Sequence, residues 1–308
     1  MKLTIPGCKM VQHNRKRKKS NMRYAELYHQ GALILQEAGL EEAGLDARLL
    51  LEKVCGTNQN TLLCHGEMEV EEEQKEQFLH FIQKRALHVP LQHLTGEQEF
   101  MGLCFQVNPH VLIPRQDTEI LVEEVLKDLH DGMRILDMCT GSGCILLSLL
   151  KYSNDCCGLG ADISEEALQT ARQNASRLGI QAEFIQSDLF EKVEGRFDVL
   201  VSNPPYIESR VIPTLMQEVR DYDPILALDG GEDGLAFYRR LIADAPEYLF
   251  RGGRLFLEIG CQQADAVSSM LQENGYTEIN VYKDFAGLDR VVSATCIRIK
   301  EPQEKENV

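Results

Sequence analysis

The chain has 308 residues, is 44% hydrophobic and contains no Trp, enough for two ordinary domains, one of which can bury a sheet core. No apolar run approaches the ~20 residues of a membrane span, so no membrane association is expected. Net charge is −16, but residues 1–21 hold seven Lys and Arg and no acid, leaving a body with 25 Lys and Arg against 48 Asp and Glu. A body at −23 repels nucleic acid phosphates, and a macromolecular partner is expected to be protein.

Residues 1–21 contain Arg15-Lys16-Arg17-Lys18-Lys19, with no apolar core of a secretory signal. The stretch is read as a disordered basic extension, or as the product of an upstream start with Met22 the functional first residue. A nuclear-type or RNA-contacting arm is the alternative. From residue 22 to 94 the pattern is helical. Ala25, Leu27, Ala32, Leu33 and Leu35 suit one helix closing near Gly39. A second starts with Asp46 as its N-cap and stops at Gly56, and a third runs Glu71–Leu87, acidic first and basic last. No titratable cluster appears, so this module suits recognition better than chemistry.

Residues 95–115 read as a β-hairpin connector, with two short strands around Gly102 and a break at Asn108-Pro109. Residues 116–300 form the second domain, followed by a tail at 301–308. Helix resumes at Thr118–Leu129. Strands are expected at Arg134–Met138, Gly158–Asp162, Ala182–Ser187, Phe197–Ser202 and Gly253–Glu258. Helices at Cys144–Tyr152, Ser164–Leu178, Leu235–Tyr248 and Gln263–Asn274 separate most of them. Two last strands, Glu278–Tyr282 and Arg290–Arg298, close the domain. This alternation predicts an α/β, doubly wound parallel sheet with an antiparallel pair after the last helix. The ten cysteines include no CxxC pair, and Cys156 and Cys157 are adjacent, which favours reduced thiols in the cytoplasm over a disulfide framework. No metal site is expected.

Ile135-Leu136-Asp137-Met138-Cys139-Thr140-Gly141-Ser142-Gly143 lies at a strand-to-helix turn, where Gly141 and Gly143 let backbone approach a ligand. Leu146 occupies the third glycine position of a dinucleotide fingerprint, which argues against a pyrophosphate on the helix N-terminus. Asp137 suits a ligand ammonium. Asp162, ending the second strand, suits a ribose diol, and Asp188-Leu189 after the third is placed for an adenine edge. Ammonium, ribose and adenine without phosphate describe S-adenosylmethionine.

The fourth strand stops at Asn203-Pro204-Pro205-Tyr206, because two prolines cannot continue a ladder. The Asn203 side-chain oxygen and the Pro204 carbonyl can accept both hydrogens of a planar NH2, while Tyr206 covers its flat face. An ordinary strand-ending turn is the bland alternative. No general base is evident near Asn203. Positioning can then supply most of the catalysis, up to ~7–11 kcal/mol for reacting atoms held in line.

From about Met22 to about Arg298 the chain resembles the HemK/PrmC-type peptide chain release factor N5-glutamine methyltransferases. The matching stretches are Leu94–Phe100, Leu112-Ile-Pro-Arg-Gln-Asp-Thr-Glu119, Ile135–Gly143, Asn203–Tyr206 and Asp284–Arg290. The resemblance implies a seven-stranded Rossmann-like methyltransferase domain with a small N-terminal helical domain that recognises substrate. It also implies methyl transfer from S-adenosylmethionine to the glutamine of the Gly-Gly-Gln motif in release factors, modulating translation termination. By it, Cys139, Thr140, Gly141, Ser142, Gly143 and Asp162 bind the cofactor with Leu189 beside the adenine, and residues 203–206 hold the substrate amide. Two departures stand out: Cys139 replaces the family's usual Gly, and Gln116 its usual Pro. Arg115 is either a substrate contact at the site mouth or a surface arginine. The rival functions are an adenine-N6 nucleic-acid methyltransferase, which needs a basic channel that this body lacks, and a non-catalytic binding subunit.

Overall fold

The computed structural model describes residues 19–298, so most of the basic extension and the 301–308 tail lie outside the described residues. Two compact units divide between Thr95 and Gly96.

In the first unit, strand β1 (Lys19–Arg23) pairs antiparallel with β2 (Glu69–Glu71), the latter preceded by helices α1 (Tyr24–Glu37), α2 (Ala43–Cys55) and α3 (Gln59–His65). Helices α4 (Glu72–Ala86) and α5 (Leu91–Thr95) follow. The part of 1–21 that is described is therefore strand, not a disordered arm, since its backbone from Lys19 finds a partner at Glu71. Leu27, Leu35, Leu50, Leu51, Phe78 and Ile82 are wholly buried, each contributing ~1.5–3 kcal/mol. Gly31 lets α1 approach α4, because a Cβ there would sit 2.5 Å from Phe78 Cζ.

Asp46 is not the N-cap of α2. That helix begins after Glu42, and Asp46 lies buried in its first turn, accepting from Arg85 Nε at 2.7 Å. A buried guanidinium on α4 requires a carboxylate, and this demand outweighs the local preference for a cap. Gly56 ends α2 as expected, at φ 64°.

The second unit opens with the hairpin β3 (Glu97–Phe100) and β4 (Leu103–Gln106), turning at Met101 and Gly102 with φ of 51° and 67°. Then come α6 (Asp117–Asp128), β5 (Arg134–Met138), α7 (Cys144–Tyr152), β6 (Cys157–Asp162), α8 (Glu165–Leu178), β7 (Glu183–Gln186) and β8 (Phe197–Ser202). After β8 the chain runs through a short 3-10 turn at Ile212–Thr214 and the short helix α9 (Gln217–Tyr222). It finishes with α10 (Ala236–Tyr248), β9 (Leu249–Glu258), α11 (Ala264–Glu273), β10 (Thr277–Lys283) and β11 (Asp289–Thr295).

Seven of these strands form one sheet in the order β10-β11-β9-β8-β5-β6-β7. Only β11 is reversed, lying antiparallel to both β9 and β10. Strand order turns back between β5 and β8, so their carboxyl ends flank a crevice where ligands bind in open α/β sheets. Leu136, Leu200, Leu255 and Leu257 on one face, and Ile135 and Phe256 on the other, are wholly buried, as a sheet covered by helices on both sides requires.

Candidate active site

The turn after β5 is backbone-strained at an informative position. Cys139 has φ 62°, a left-handed conformation costing a non-glycine residue of order 1 kcal/mol. A glycine would adopt it freely, so a cysteine here is tolerated at a cost. Gly141 (φ 54°) faces open space, and its N–H donates to Asp162 Oδ2 at 2.8 Å. Gly143 has another task. A Cβ there would meet Ala171 at 3.2 Å, so this glycine lets α7 pack on α8 and does not wall the cavity.

A cavity of about 470 Å³ opens at this edge, walled by Cys139, Thr140, Gly141, Ser142, Asp162, Asp188, Leu189 and Asn203 among others. Asp162 Oδ1 accepts the Ser164 N–H at 2.9 Å, and burial raises its pKa against the pull of these amides. Asp188 pairs with Arg240 at 2.8 Å, and Leu189 is held at φ 48°. Asp137 sits one layer behind the wall. Its Oδ2 takes the Thr140 hydroxyl at 2.6 Å and the Leu146 N–H at 3.3 Å, while Oδ1 has no hydrogen-bond partner. Burial pushes its pKa up to about 7. A buried orphan oxygen, a carboxylate at the second strand end and an open glycine fit the ammonium, ribose and close backbone approach of S-adenosylmethionine.

Asn203 lies where this cavity meets a second one of about 190 Å³, walled also by Arg115, Tyr206, Ile207, Leu228 and Glu258. Its Nδ2 donates to Thr118 Oγ1 at 3.3 Å, leaving Oδ1 free to accept. Pro205 faces the larger cavity and Tyr206 the smaller. Pro204 is buried and walls neither, and its carbonyl takes no hydrogen bond among the described residues. Arg115 borders both cavities, its guanidinium tied to buried Asp223 at 2.5 Å.

Three polar residues here were not singled out from the sequence: Thr118, Asp223 and Glu258. Glu258 carried a legible signal, an acid closing an apolar strand at the same sheet edge as Asp137 and Asp162. Its carboxyl is buried, with the Tyr206 hydroxyl 3.5 Å from Oε1, and burial pushes its pKa up to about 7. Thr118 and Asp223 carried none, since a threonine in a first helical turn and an acid in a long loop are ordinary. Among the described residues no group of His, Cys, Asp or Glu is arranged to hold a metal ion.

Fold and site together define an S-adenosylmethionine-dependent methyltransferase. Residues 26–96 match the PrmC N-terminal domain and residues 115–221 the methyltransferase small domain. The chain is 41% identical to the release factor glutamine methyltransferase of Agrobacterium fabrum, over 84% of this chain and 92% of that protein. It is 42% identical to the one from Clostridium acetobutylicum, over 85% and 94%. A methyltransferase structure from Pyrococcus furiosus is similar in fold, with a TM-score of 0.50 and 21% identity over 70% of this chain and 98% of that one. The chain belongs to the release factor glutamine methyltransferase family.

Proposed function

We propose that the chain methylates the side-chain amide nitrogen (N5) of the glutamine in the Gly-Gly-Gln motif of peptide chain release factors. S-adenosylmethionine, bound in the larger cavity, supplies the methyl group on an electrophilic sulfonium. Asn203 carries the reading, because it alone of the Asn-Pro-Pro-Tyr residues walls both cavities and presents a free acceptor oxygen between them.

A carboxamide nitrogen is a poor nucleophile because its lone pair is delocalised. Asn203 Oδ1 and the Pro204 carbonyl accept its two hydrogens, orient the nitrogen toward the larger cavity and stabilise the positive charge that grows on it. As the N–CH3 bond forms the S–CH3 bond would break, with S-adenosylhomocysteine as the leaving group, and the alkylated, strongly acidic nitrogen would give its proton to water. Asp162 would take the ribose hydroxyls, Asp137 would favour the ammonium from behind the cavity wall, and Asp188 and Leu189 would border the adenine. Cys139, Thr140, Ser142 and Gly141 form the floor. Tyr206 and Pro205 shape the amide slot, and Arg115 stands at its mouth.

The acidic body supports a protein partner over nucleic acid. Reduced thiols and a translation substrate support a cytoplasmic setting, and no helix among the described residues is long and apolar enough to cross a membrane. The test is incorporation of tritiated methyl from S-adenosylmethionine into release factor, compared with its Gly-Gly-Ala variant. Equal labelling of the two would overturn the reading.

A further inference from the structure

Helix α11 begins after Gln263, which is not among the residue types that favour this place; Ser, Thr, Asp and Asn do, because their short side chains reach the free N–H groups. The Gln263 side chain makes no capping bond. Its amide is engaged elsewhere. Nε2 donates to the Tyr206 carbonyl at 3.0 Å and to the Gly234 carbonyl at 3.2 Å, and Oε1 accepts the Gly260 N–H at 2.9 Å. Both hydrogens and the oxygen are used, and the orientation is fixed, because a flipped amide would set its oxygen against two carbonyls. One side chain thus ties the turn after β8 to the loop before α10 and to the turn between β9 and α11.

Three glycines close around the same turn. A Cβ at Gly234 would sit 2.4 Å from the Tyr206 carbonyl oxygen. One at Gly230 would sit 2.7 Å from Tyr206 Cα and 2.9 Å from the Pro205 carbonyl oxygen, and one at Gly260 3.5 Å from Tyr206 Cδ2. Tyr206 is therefore approached at its carbonyl, its Cα and its ring. The other end of the turn is held in the sheet, where Ser202 lies opposite Leu257 and its hydroxyl donates to the Met138 carbonyl at 2.6 Å. Between these ends Pro204 and Pro205 have fixed φ, and each restricts the residue before it to extended backbone. With both ends held, little rotation is left to turn the Pro204 carbonyl. Gln263 itself borders neither cavity.

We propose that Gln263 is a positioning residue for methyl transfer: its amide anchors the Tyr206 carbonyl, and through the rigid Pro-Pro turn it sets the direction of the Pro204 carbonyl and the place of the Tyr206 ring around the substrate amide. The inference rests on the amide-methylation reading above. A reacting nitrogen must be held in line with the methyl group, and small misplacements cost rate even when they start away from the chemistry. Without the anchor, Tyr206 keeps its neighbours Gly230 and Gly260, but its carbonyl is released and the acceptor at Pro204 turns with it. The loss is expected in kcat, because the substrate still enters the smaller cavity and the larger one is untouched.

The experiment compares the full wild-type chain with Gln263→Leu, Gln263→Glu and Gln263→Ser. The first removes all three bonds. The second keeps an acceptor for Gly260 and removes both donors. The third also loses the bridge but supplies a cap to α11, so it separates anchoring from helix stability. Steady-state kinetics on release factor are run at saturating S-adenosylmethionine, with cofactor Kd and melting temperature measured apart. The Tyr206 ring is followed by NMR of the 13C-tyrosine-labelled chain without substrate, its signal assigned with Tyr206→Phe. All three variants should lower kcat at least tenfold and keep KM and cofactor Kd within about threefold of wild type. Gln263→Ser should melt above Gln263→Leu yet be equally slow. The Tyr206 signal should shift or broaden in each variant.

A kcat within threefold of wild type in any folded variant overturns the proposal. So does a loss of rate that follows melting temperature, with Gln263→Ser recovering, or a loss confined to KM or to the cofactor Kd. If Gln263→Leu does not fold, Gln263→Ser and Gln263→Glu decide the matter. If wild type transfers no methyl to release factor, the substrate reading fails instead. The Tyr206 signal then still decides the anchoring role, and one unmoved in all three variants overturns it.

Discussion

Asn203 separates orientation from binding at the level of one side chain. If it only helped to hold substrate, Asn203→Ala would raise KM and spare kcat. An interaction that strengthens as charge develops on nitrogen predicts a lower kcat, at least tenfold, or ~1.4 kcal/mol in the barrier. Asn203→Asp keeps an acceptor oxygen and should retain more activity than alanine, whereas Asn203→Leu should be as poor as alanine. Steady-state kinetics of the three, with cofactor affinity measured apart, check this. An alanine variant within threefold in kcat would remove Asn203 from the reaction. Asp137 makes a second prediction at this scale. Its folded pKa of about 7 lies above the ordinary 3.8, so the folded chain binds this proton more tightly than the unfolded one. The stability it contributes is full below about pH 4 and is lost as pH rises to about 7. A bound ammonium favours the charged carboxylate, which turns the same shift into cofactor affinity that grows with pH. Calorimetry should show the S-adenosylmethionine Kd rising by up to ~tenfold per unit below pH 7. Asp137→Asn should bind more weakly at pH 8 with a flat profile; an unchanged slope in that variant would place the titration elsewhere.

Among elements, the helical unit is held by an ion pair as well as by packing. Asp46 of α2 and Arg85 of α4 meet at 2.7 Å with side chains 6% and 8% exposed. Asp46→Ala strips a buried guanidinium of its carboxylate, and such a loss costs ~3–5 kcal/mol. Denaturant unfolding should show an early transition for this unit. Replacing both residues with apolar side chains of like volume should recover much of the loss. An Asp46→Ala chain within 1 kcal/mol of wild type would show that the pair contributes little. In the second unit the strain at Cys139 and Leu189 has its counterpart in the strand ends around them. Both lie in tight turns at the carboxyl edge of the sheet, where the wall of the larger cavity forms.

For the whole molecule the basic amino terminus and the acidic body are separable questions. A chain starting at Lys19 keeps β1, whereas a start at Met22 removes three of its five residues. The first should match the full chain in melting temperature and turnover. The second should melt a few degrees lower, since each lost ladder bond is worth ~1 kcal/mol and that shifts a small domain by ~4–8 °C. Equal melting of both chains would show that β1 contributes nothing. A Lys19 start that loses activity on release factor but not on a short peptide would show that the basic stretch contacts substrate. Much of the molecule was legible in its sequence. Apolar β-branched runs ended by Gly, Asp or Pro placed the strands that flank the crevice, and Asn-Pro-Pro-Tyr marked its centre, because both signals are local. The donor class followed from acids at successive strand ends, a pattern that parallel order turns into one edge. Tertiary structure decided the rest. Thr118 and Asn203 are 85 residues apart, and Glu258, from a third segment, lies beside Tyr206, so these meetings depend on α6 packing against β9 and on β9 pairing with β8. Whether Asp46 caps a helix or pairs with Arg85 was settled by what α4 brings against it, and the close approach of Gly143 to Ala171 of α8 was settled in the same way. Local patterns carry backbone preference and burial; which polar groups share a buried space is set only when distant elements pack.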